Sequence, residues 1–390
     1  MKLPKGFLAS GVRAGIRKKR PDLGLIVAEG DGATAAAVFT QNKFQAAPVV
    51  LSKSALKKSG GRVKAVVVNA GCANAVTGKD GLDAAKRVRV KTAELLRCAE
   101  EEVFLASTGV IGVCLPDNKV RAFLPDAISR LSTGGVEALS HAILTTDVGP
   151  KVAQVTFTLG GKRGRIVGVA KGAGMIHPNM ATMLSFLMTD AAISPAALQR
   201  ALNAAVDESF NSISVDGDTS TNDTVLVLAS GKLGNEGGDL ADFQRALNTI
   251  CRELAWLIVR DGEGAIRVME VEVTGAKTEK DAKLAAHAIA TSPLVKTALH
   301  GGDPNWGRIL AAVGRSGARF SLKKISLSAG PVKLVVNGAP TAYKEKDAAK
   351  VFSRERVPLR VDLGSGNARA VVLSSDLGHD YVSLNADYRS

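Results

Sequence analysis

The sequence predicts an α+β protein, and three observations carry that expectation. Short runs rich in Val and small apolar residues recur along the first half, each of strand length and too brief for a helix. Longer segments return their apolar residues at helical spacing, as in Ala84, Ala85, Val88, Leu95 and Leu96, or Leu240, Phe243, Leu247, Ile250, Leu254 and Leu257. Forty glycines in 390 residues suit tight turns and backbone-lined sites better than long helical bundles. Apolar residues make up 46% of the chain, enough for a sizeable core, and aromatics only 4%, so Ala, Val, Leu and Ile do the packing. This length allows two or three domains, or one large sandwich with a lobe.

Along the chain, residues 25–28, 35–40, 48–52 and 63–68 read as strands. Asp80 caps a helix reaching about Cys98. Residues 103–106 form a strand that runs into Ser107-Thr108-Gly109-Val-Ile-Gly112. Residues 152–159 and 165–169 make a hairpin around Gly160-Gly161. A buried strand follows at 183–188. Pro195 and Ala196 then open a helix to about Ser209. Asp239 caps a long helix that stops at Asp261-Gly262 and leaves Glu263 on the exit turn. From about Val273 strands and helices alternate again in a smaller α/β lobe.

Net charge is +14, from 51 basic and 37 acidic residues. The surplus is dispersed, apart from Arg17-Lys18-Lys19-Arg20, which reads as a surface or at most a weak targeting signal. Binding to nucleic acid would need clustered cations and stacking aromatics, and 3 Tyr, 2 Trp and 11 Phe form no such cluster. Cys72, Cys98, Cys114 and Cys251 make no CxxC pair and no disulfide framework, which fits a reducing, cytoplasmic compartment. Cys114 reads as a small buried hydrophobe. The five histidines lack metal spacing, and His177 reads as structural or solvated. The first twenty residues lack the apolar core of a signal peptide. Residues 172–189 carry no Asp, Glu, Lys or Arg, but their His, Pro, Asn and glycines argue against a membrane span.

The most informative stretch is Lys171-Gly-Ala-Gly-Met-Ile-His-Pro-Asn-Met-Ala-Thr-Met-Leu184. At its centre is the Ala181–Thr182 bond. A threonine hydroxyl is a poor nucleophile without a base, and none is evident nearby in sequence. A threonine freed as an N-terminus supplies its own base, the α-amine. Gly172 and Gly174 permit unusual backbone angles, Pro178 stiffens the approach, and Ala181 leaves its carbonyl open to attack. The bland alternative, a glycine-rich turn feeding a buried strand, accounts for the apolar residues but not for the order of the rest.

This pattern resembles the cleavage and nucleophile signature of the ornithine acetyltransferases of arginine biosynthesis. Further ordered segments resemble the same family nearly end to end: Asn69-Ala-Gly-Cys72-Ala-Asn74, Ser107 to Gly112, Thr145-Thr146-Asp147, Asn211 to Thr224, Asp261-Gly-Glu263-Gly, Gly302-Asp-Pro-Asn305-Trp306-Gly-Arg308 and Asn385 to Ser390. The resemblance implies a layered αββα sandwich with a C-terminal lobe. It implies cleavage at Ala181–Thr182 into residues 1–181 and 182–390, assembled as two chains of each kind. It implies acetyl transfer from N2-acetylornithine to glutamate through acetyl-Thr182.

The resemblance also assigns roles. Thr108 and Gly109 form the oxyanion hole; a glycine-containing strand-end turn can aim an N–H and a hydroxyl at one point. Lys171 holds the substrate α-carboxylate. One of Thr145 and Thr146 contacts substrate, with Thr145 preferred. Glu263 meets a substrate ammonium group, and Asn385 and Ser390 are C-terminal contacts. No cofactor is expected; acetyl-CoA enters only as a second acetyl donor. A self-processed aminopeptidase or amidase, passing the acyl group to water, is the other enzymatic reading. Asp216, Asp218 and Asp223 faintly suggest a calcium loop, but its glycine and terminal glutamate are out of register, and a turn ordering Asn222 is the expectation. The Asn305-Trp306-Gly-Arg308 segment is structural or interfacial, with no choice between them.

Overall fold

The computed structural model describes residues 1–177, 183–235 and 237–387. The chain divides into two compact units. Among the described residues the first contains 1–211 and 218–258, and the second 212–217 and 259–387.

The first unit runs β1 (Phe7–Val12), β2 (Leu23–Ala28), β3 (Ala33–Phe39), α1 (Ala47–Lys58), β4 (Arg62–Val63), β5 (Ala65–Cys72), α2 (Gly78–Leu96), β6 (Val103–Val110), α3 (Asp117–Ser129), α4 (Val136–Ala142), β7 (Lys151–Leu159), β8 (Lys162–Lys171), β9 (Leu184–Thr189) and α5 (Pro195–Asp207). After β10 (Ile213–Ser214), which belongs to the second unit, the chain adds β11 (Thr224–Ala229) and α6 (Ala241–Arg260).

Its strands form two sheets. One has the order β1-β2-β5-β6, antiparallel except for the β5–β6 pair. The other has the order β4-β3-β11-β9-β8-β7, antiparallel except for β9–β11. Because side chains alternate along a strand, one face of each sheet supplies a shared core. Phe7, Ile26, Val66, Val68 and Phe104 meet Val167, Val169, Phe186, Met188 and Leu226 there. The other face of the four-stranded sheet, with Leu23, Leu25, Val67 and Leu105, packs on Ala84, Ala85 and Val88 of α2 and on Val120 and Leu124 of α3. The six-stranded sheet is covered by α5 and α6. Gln199 of α5 exchanges hydrogen bonds with the backbone of Ala37 (3.2 Å each). Leu254 of α6 sits so close to Gly168 that a Cβ there would be 2.8 Å away. The layers are therefore helix, sheet, sheet, helix, the αββα order that the resemblance implies.

The second unit contains β12 (Val268–Ala276), α7 (Glu279–Ala290), α8 (Pro293–His300), α9 (Trp306–Gly314), β13 (Ser326–Ala329), β14 (Val332–Val336), β15 (Ala339–Pro340), α10 (Glu345–Phe352), β16 (Arg356–Asp362), β17 (Ala368–Ser375) and α11 (His379–Asp387). Its sheet has the order β10-β17-β12-β16-β13-β14-β15. Ala282, Ala285, Ala286 and Ile289 of α7 share a core with Met269, Val271 and Val273 of β12. The unit starts at Val259 rather than near Val273, a position well inside its first long strand.

Three local expectations change. Residues 48–52 are helical, at the start of α1. Pro48 sits where a missing N–H costs nothing. Ser52 donates to the carbonyl of Leu105 and accepts its N–H, both at 2.8 Å, so packing overrides the strand preference of Val49 and Val50. The strand expected at 103–106 continues to Val110, carrying Thr108 and Gly109 within it. The apolar run of β11, not anticipated, lies centrally between β3 and β9. The hairpin and both long helices fall where expected, and Asp239 accepts the N–H of Ala241 (2.9 Å) ahead of α6.

Candidate active site

Thr108 and Gly109 sit where β6 meets the end of β5. The parallel register pairs Ala70 with Thr108 and Gly71 with Gly109, then slips at Cys72. Gly109 has φ +129°, and a Cβ there would lie 2.3 Å from the carbonyl carbon of Gly71. Gly71 has φ +101°, and a Cβ there would meet Cγ of Arg17 at 2.6 Å. Neither position tolerates a side chain, so the two backbones come unusually close.

Buried polar side chains lock this strand end. Asn69 Nδ2 donates to the carbonyl of Cys72 (2.8 Å), and Ser107 Oγ donates to Asn69 Oδ1 (2.5 Å). Asn222 Nδ2 donates to the carbonyls of Ala73 (2.7 Å) and Ser107 (2.9 Å), while Thr221 Oγ1 donates to Asn222 Oδ1 (2.5 Å). A satisfied buried network of this kind makes its surroundings rigid. Donors carried on such a strand are already organised for an oxyanion before any reaction.

A second cluster gathers around Asp147, in the loop between α4 and β7. Its Oδ2 accepts the N–H of Thr145 (2.9 Å) and the Thr145 hydroxyl (3.4 Å); its Oδ1 accepts the N–H of Gly172 (2.7 Å). Lys151 Nζ pairs with Oδ1 at 2.8 Å and Lys171 Nζ with Oδ2 at 3.9 Å. Asp147, Lys151 and Lys171 are each at most 2% exposed. Burial pushes the Asp147 carboxyl up, but the ammoniums of Lys171 and Lys151 and the hydrogen bonds outweigh it. The group is held well below the usual carboxylate range. One carboxylate thus stands between two buried ammoniums.

The basic quartet contributes to the same loop. Arg17 donates to the carbonyls of Leu144 (2.5 Å) and Thr145 (3.2 Å), and Arg20 to that of Asp147 (3.4 Å). Buried Asp22 accepts the N–H groups of Ala14 (2.6 Å) and Arg17 (2.7 Å). Arg17 therefore touches both Gly71 and the Thr145 loop, a structural use that its sequence context does not announce.

Ala181 and Thr182 lie outside the described residues. Before them, Gly172 has φ +152° and Met175 has φ +56°, so a methionine also adopts left-handed backbone here. His177 is half-buried; burial lowers its pKa and Asp218 opposes that. After them, the N–H of Met183 donates to Asp223 Oδ1 (3.0 Å), its carbonyl accepts the N–H of Thr224 (3.1 Å), and Leu184 pairs with Lys171. Asp223 is fully buried. Burial pushes its carboxyl well above the ordinary range, against the Met183 N–H, the Lys171 ammonium and the nearby Thr40 and Ser220 hydroxyls.

Glu263 and Asn385 belong to the second unit, where Asn385 Nδ2 donates to Glu263 Oε2 (2.8 Å) and to the carbonyl of Tyr381 (3.1 Å). Asn385 is exposed on α11, and Ser390 lies outside the described residues. Asp216 accepts the Tyr381 hydroxyl (3.3 Å). Asn305 caps α9 by accepting the N–H of Arg308 (3.1 Å), and Arg308 donates to the carbonyl of Leu294 (2.9 Å), which gives that segment a structural use. Cys114 is exposed, contrary to expectation; Cys72 and Cys251 are buried, and burial pushes the Cys251 thiol up to about 12. Among the described residues no helix is long and apolar enough to cross a membrane.

Two residues of the site escape sequence reasoning. Lys151 stands four positions after Asp147, a spacing usually read as an exposed ion pair. Asn69 stands out only as part of a motif, and its position at the end of a Val-rich run is the available signal.

The ArgJ family profile matches residues 8–390. The arginine biosynthesis bifunctional protein ArgJ of Caldanaerobacter subterraneus subsp. tengcongensis is 47% identical over 399 residues, covering 100% of this chain and 98% of that one. Its namesake from Geobacillus kaustophilus is 45% identical over 392 residues, covering 99% and 95%. A crystal structure of the ArgJ protein from Bacillus halodurans is 45% identical, with a TM-score of 0.52, and covers 53% of this chain and 100% of that one. The layered fold and the ordered motifs agree with these matches: the chain belongs to the ArgJ family and is an acetyltransferase of arginine biosynthesis.

Proposed function

We propose that acetyl transfer from N2-acetylornithine to glutamate runs through Thr182, freed as an N-terminus by cleavage of the bond after Ala181. In the first stage Thr182 Oγ attacks the Ala181 carbonyl, the amide C–N bond breaks, and water hydrolyses the resulting ester. In the second stage the α-amine takes the proton from Oγ, which accepts acetyl while ornithine leaves with that proton. Glutamate then enters, and its amine takes the acetyl group. An ordinary α-amine titrates at about 7.7–8.0, close to the pH at which a general base works. The N–H and hydroxyl donors of Gly109 and Thr108 stabilise the oxyanion in each stage.

The observation that carries this reading is the buried Lys151–Asp147–Lys171 cluster, next to the strand that follows Thr182. Ornithine ends in a cation and glutamate in an anion; their common feature is the α-carboxylate, and the buried cation of Lys171 suits it. Lys171, the longer of the two pairs, is its partner, with Thr145 beside it; Glu263 and Asn385, with Ser390, contact the rest of the substrate.

Sheet order supports a cleaved enzyme that stays together. β9 and β11, from after the junction, lie between β3 and β8, from before it, so the cut separates no layer. A cut before Thr182 also leaves a C-terminal chain of slightly more than half the length, a share like that covered by the solved Bacillus halodurans chain. The assembly is two chains of each kind. Acetyl-CoA is the second donor, reloading Thr182 for net acetylation of glutamate.

The test begins with the mass of the purified protein and N-terminal sequencing. Two fragments are expected, the second starting Thr-Met-Leu, and Thr182→Ala stays whole. Initial rates against both substrates should give parallel lines, with an acetyl adduct trapped on Thr182 when glutamate is omitted. An intact, fully active enzyme would end this reading. Acetate formed in place of N-acetylglutamate would make the enzyme a hydrolase of the amidase kind.

A further inference from the structure

The helix α11 carries Asn385, yet it buries no residue in a core: Tyr381 is half-buried and the rest are exposed. At nine residues it is also too short to hold its shape alone, since isolated helices under about 12–15 residues are marginal. The direction of Asn385 is therefore set where the helix is fastened to the rest of the second unit.

The fastening is a polar cluster behind its first turn. Asp376 directly follows β17 and is 3% exposed. Its Oδ1 accepts the N–H groups of Ile266 (3.0 Å) and Arg267 (3.2 Å), just after Glu263, and its own N–H donates to the Arg267 carbonyl (3.0 Å). Its Oδ2 meets His300 Nδ1 at 2.7 Å. A carboxylate only accepts, so Nδ1 is the nitrogen that donates. The His300 ring lies against Gly378, where a Cβ would come within 2.2 Å of Cε1.

Two further ties close the junction. The Lys296 carbonyl accepts the N–H of Leu377 (3.3 Å), and its buried ammonium donates to the hydroxyls of Ser374 and Ser375 (3.2 Å each). Burial lowers that ammonium to about 8, against the pull of Asp376 and Asp216. On the other side Gly264 has φ +68°, and a Cβ there would lie 2.5 Å from the nitrogen of Tyr381. The loop of Glu263 and the first turn of α11 are thus pressed together, and Asn385 Nδ2 reaches Glu263 Oε2 at 2.8 Å. Buried charges stabilise little, because desolvation offsets much of their attraction. What this cluster fixes is geometry.

We propose that Asp376 and His300 are positioning residues for the substrate contacts. Oδ1 of Asp376 sets the loop of Glu263; Oδ2, through His300 and Gly378, sets the direction of α11 and so of Asn385. Neither residue touches substrate. The proposal rests on the reading above that Glu263 and Asn385 do.

The experiment is steady-state transfer from N2-acetylornithine to glutamate by His300→Ala, His300→Asn and Asn385→Ala enzymes, and by the His300→Ala, Asn385→Ala double variant. His300→Asn returns an N–H donor near the place of Nδ1; His300→Ala does not. His300→Ala should raise KM for both substrates about tenfold with kcat within about threefold, the pattern of lost binding contacts. His300→Asn should recover most of that loss. On the Asn385→Ala background the same His300→Ala change should cost less than about twofold, because residues acting as one unit do not add.

A His300→Ala enzyme within about twofold of wild type overturns the proposal. So does a loss that His300→Asn leaves in place, or one that keeps its full size on the Asn385→Ala background. Wild-type kinetics in Asn385→Ala would instead end the substrate-contact reading, and the proposal with it. Should His300→Ala fail to fold by circular dichroism, His300→Gln decides. Its side chain keeps bulk but carries its donor beyond the Nδ1 position, so KM should still rise, and an unchanged KM overturns the proposal.

Discussion

Asp147 and Asp223 are both buried and both feel Lys171, yet burial has opposite outcomes for them. Asp147 has two ammoniums and two backbone N–H groups around it and is held ionised. Asp223 has one N–H, the Lys171 ammonium and the nearby Thr40 and Ser220 hydroxyls, and burial still pushes its carboxyl well above the ordinary range. Desolvation is the largest influence on each; two buried ammoniums outweigh it at Asp147, and one ammonium with neutral hydrogen-bond donors does not at Asp223.

The sharpest way to break this comparison is to neutralise each aspartate in the Thr182→Ala background, where no cut intervenes. Asp147→Asn removes the carboxylate that both Lys151 and Lys171 pair with, and urea unfolding should show a loss of about 3–5 kcal/mol, the cost of breaking a buried pair. Asp223→Asn should cost less, about 1 kcal/mol, since burial already disfavours the charged form of the carboxyl it replaces. Equal losses would mean that Asp223 is also an anchored charge.

A smaller effect separates the two by sign. Asp147 has a depressed pKa in the folded chain, so its contribution is complete above the unfolded carboxylate value of about 3.9 and is lost as pH falls below it. Asp223 has a raised pKa, so stability drains away as pH rises above about 3.9 through that raised value. Unfolding midpoints measured across that range should lose their rising-pH decline in Asp223→Asn and part of their acid decline in a folded Asp147 variant.

The smallest effect belongs to the exposed Asn385–Glu263 pair. Asn385→Ala should change stability by no more than about 0.5 kcal/mol, as surface substitutions do, while raising KM in steady-state assays. A loss of several kcal/mol would make Asn385 a fold residue.

Much of the candidate site was legible because it lies in short segments whose chemistry is local. Gly109 sits at a backbone crossing that excludes a side chain, and Lys171 ends a strand just before the junction. Asp147 and Lys151 were harder to read, because the same spacing on a surface helix is an ordinary ion pair. Residues 48–52 misled for the converse reason: a β-branched run has strand preference until Ser52 finds the backbone of Leu105.

By itself the sequence determined the α+β class, the long helices, the β7–β8 hairpin and the motifs that mark the family. These follow from periodicity and from residue types that few chemistries require. Tertiary structure alone decided which buried charges are balanced. A pKa depends on partners brought from β7, β8 and the loop before β11, and no local pattern encodes how many will arrive. It also decided that strands from both sides of the Ala181–Thr182 bond interleave in one sheet, because strand order is set by packing of whole faces and not by proximity along the chain.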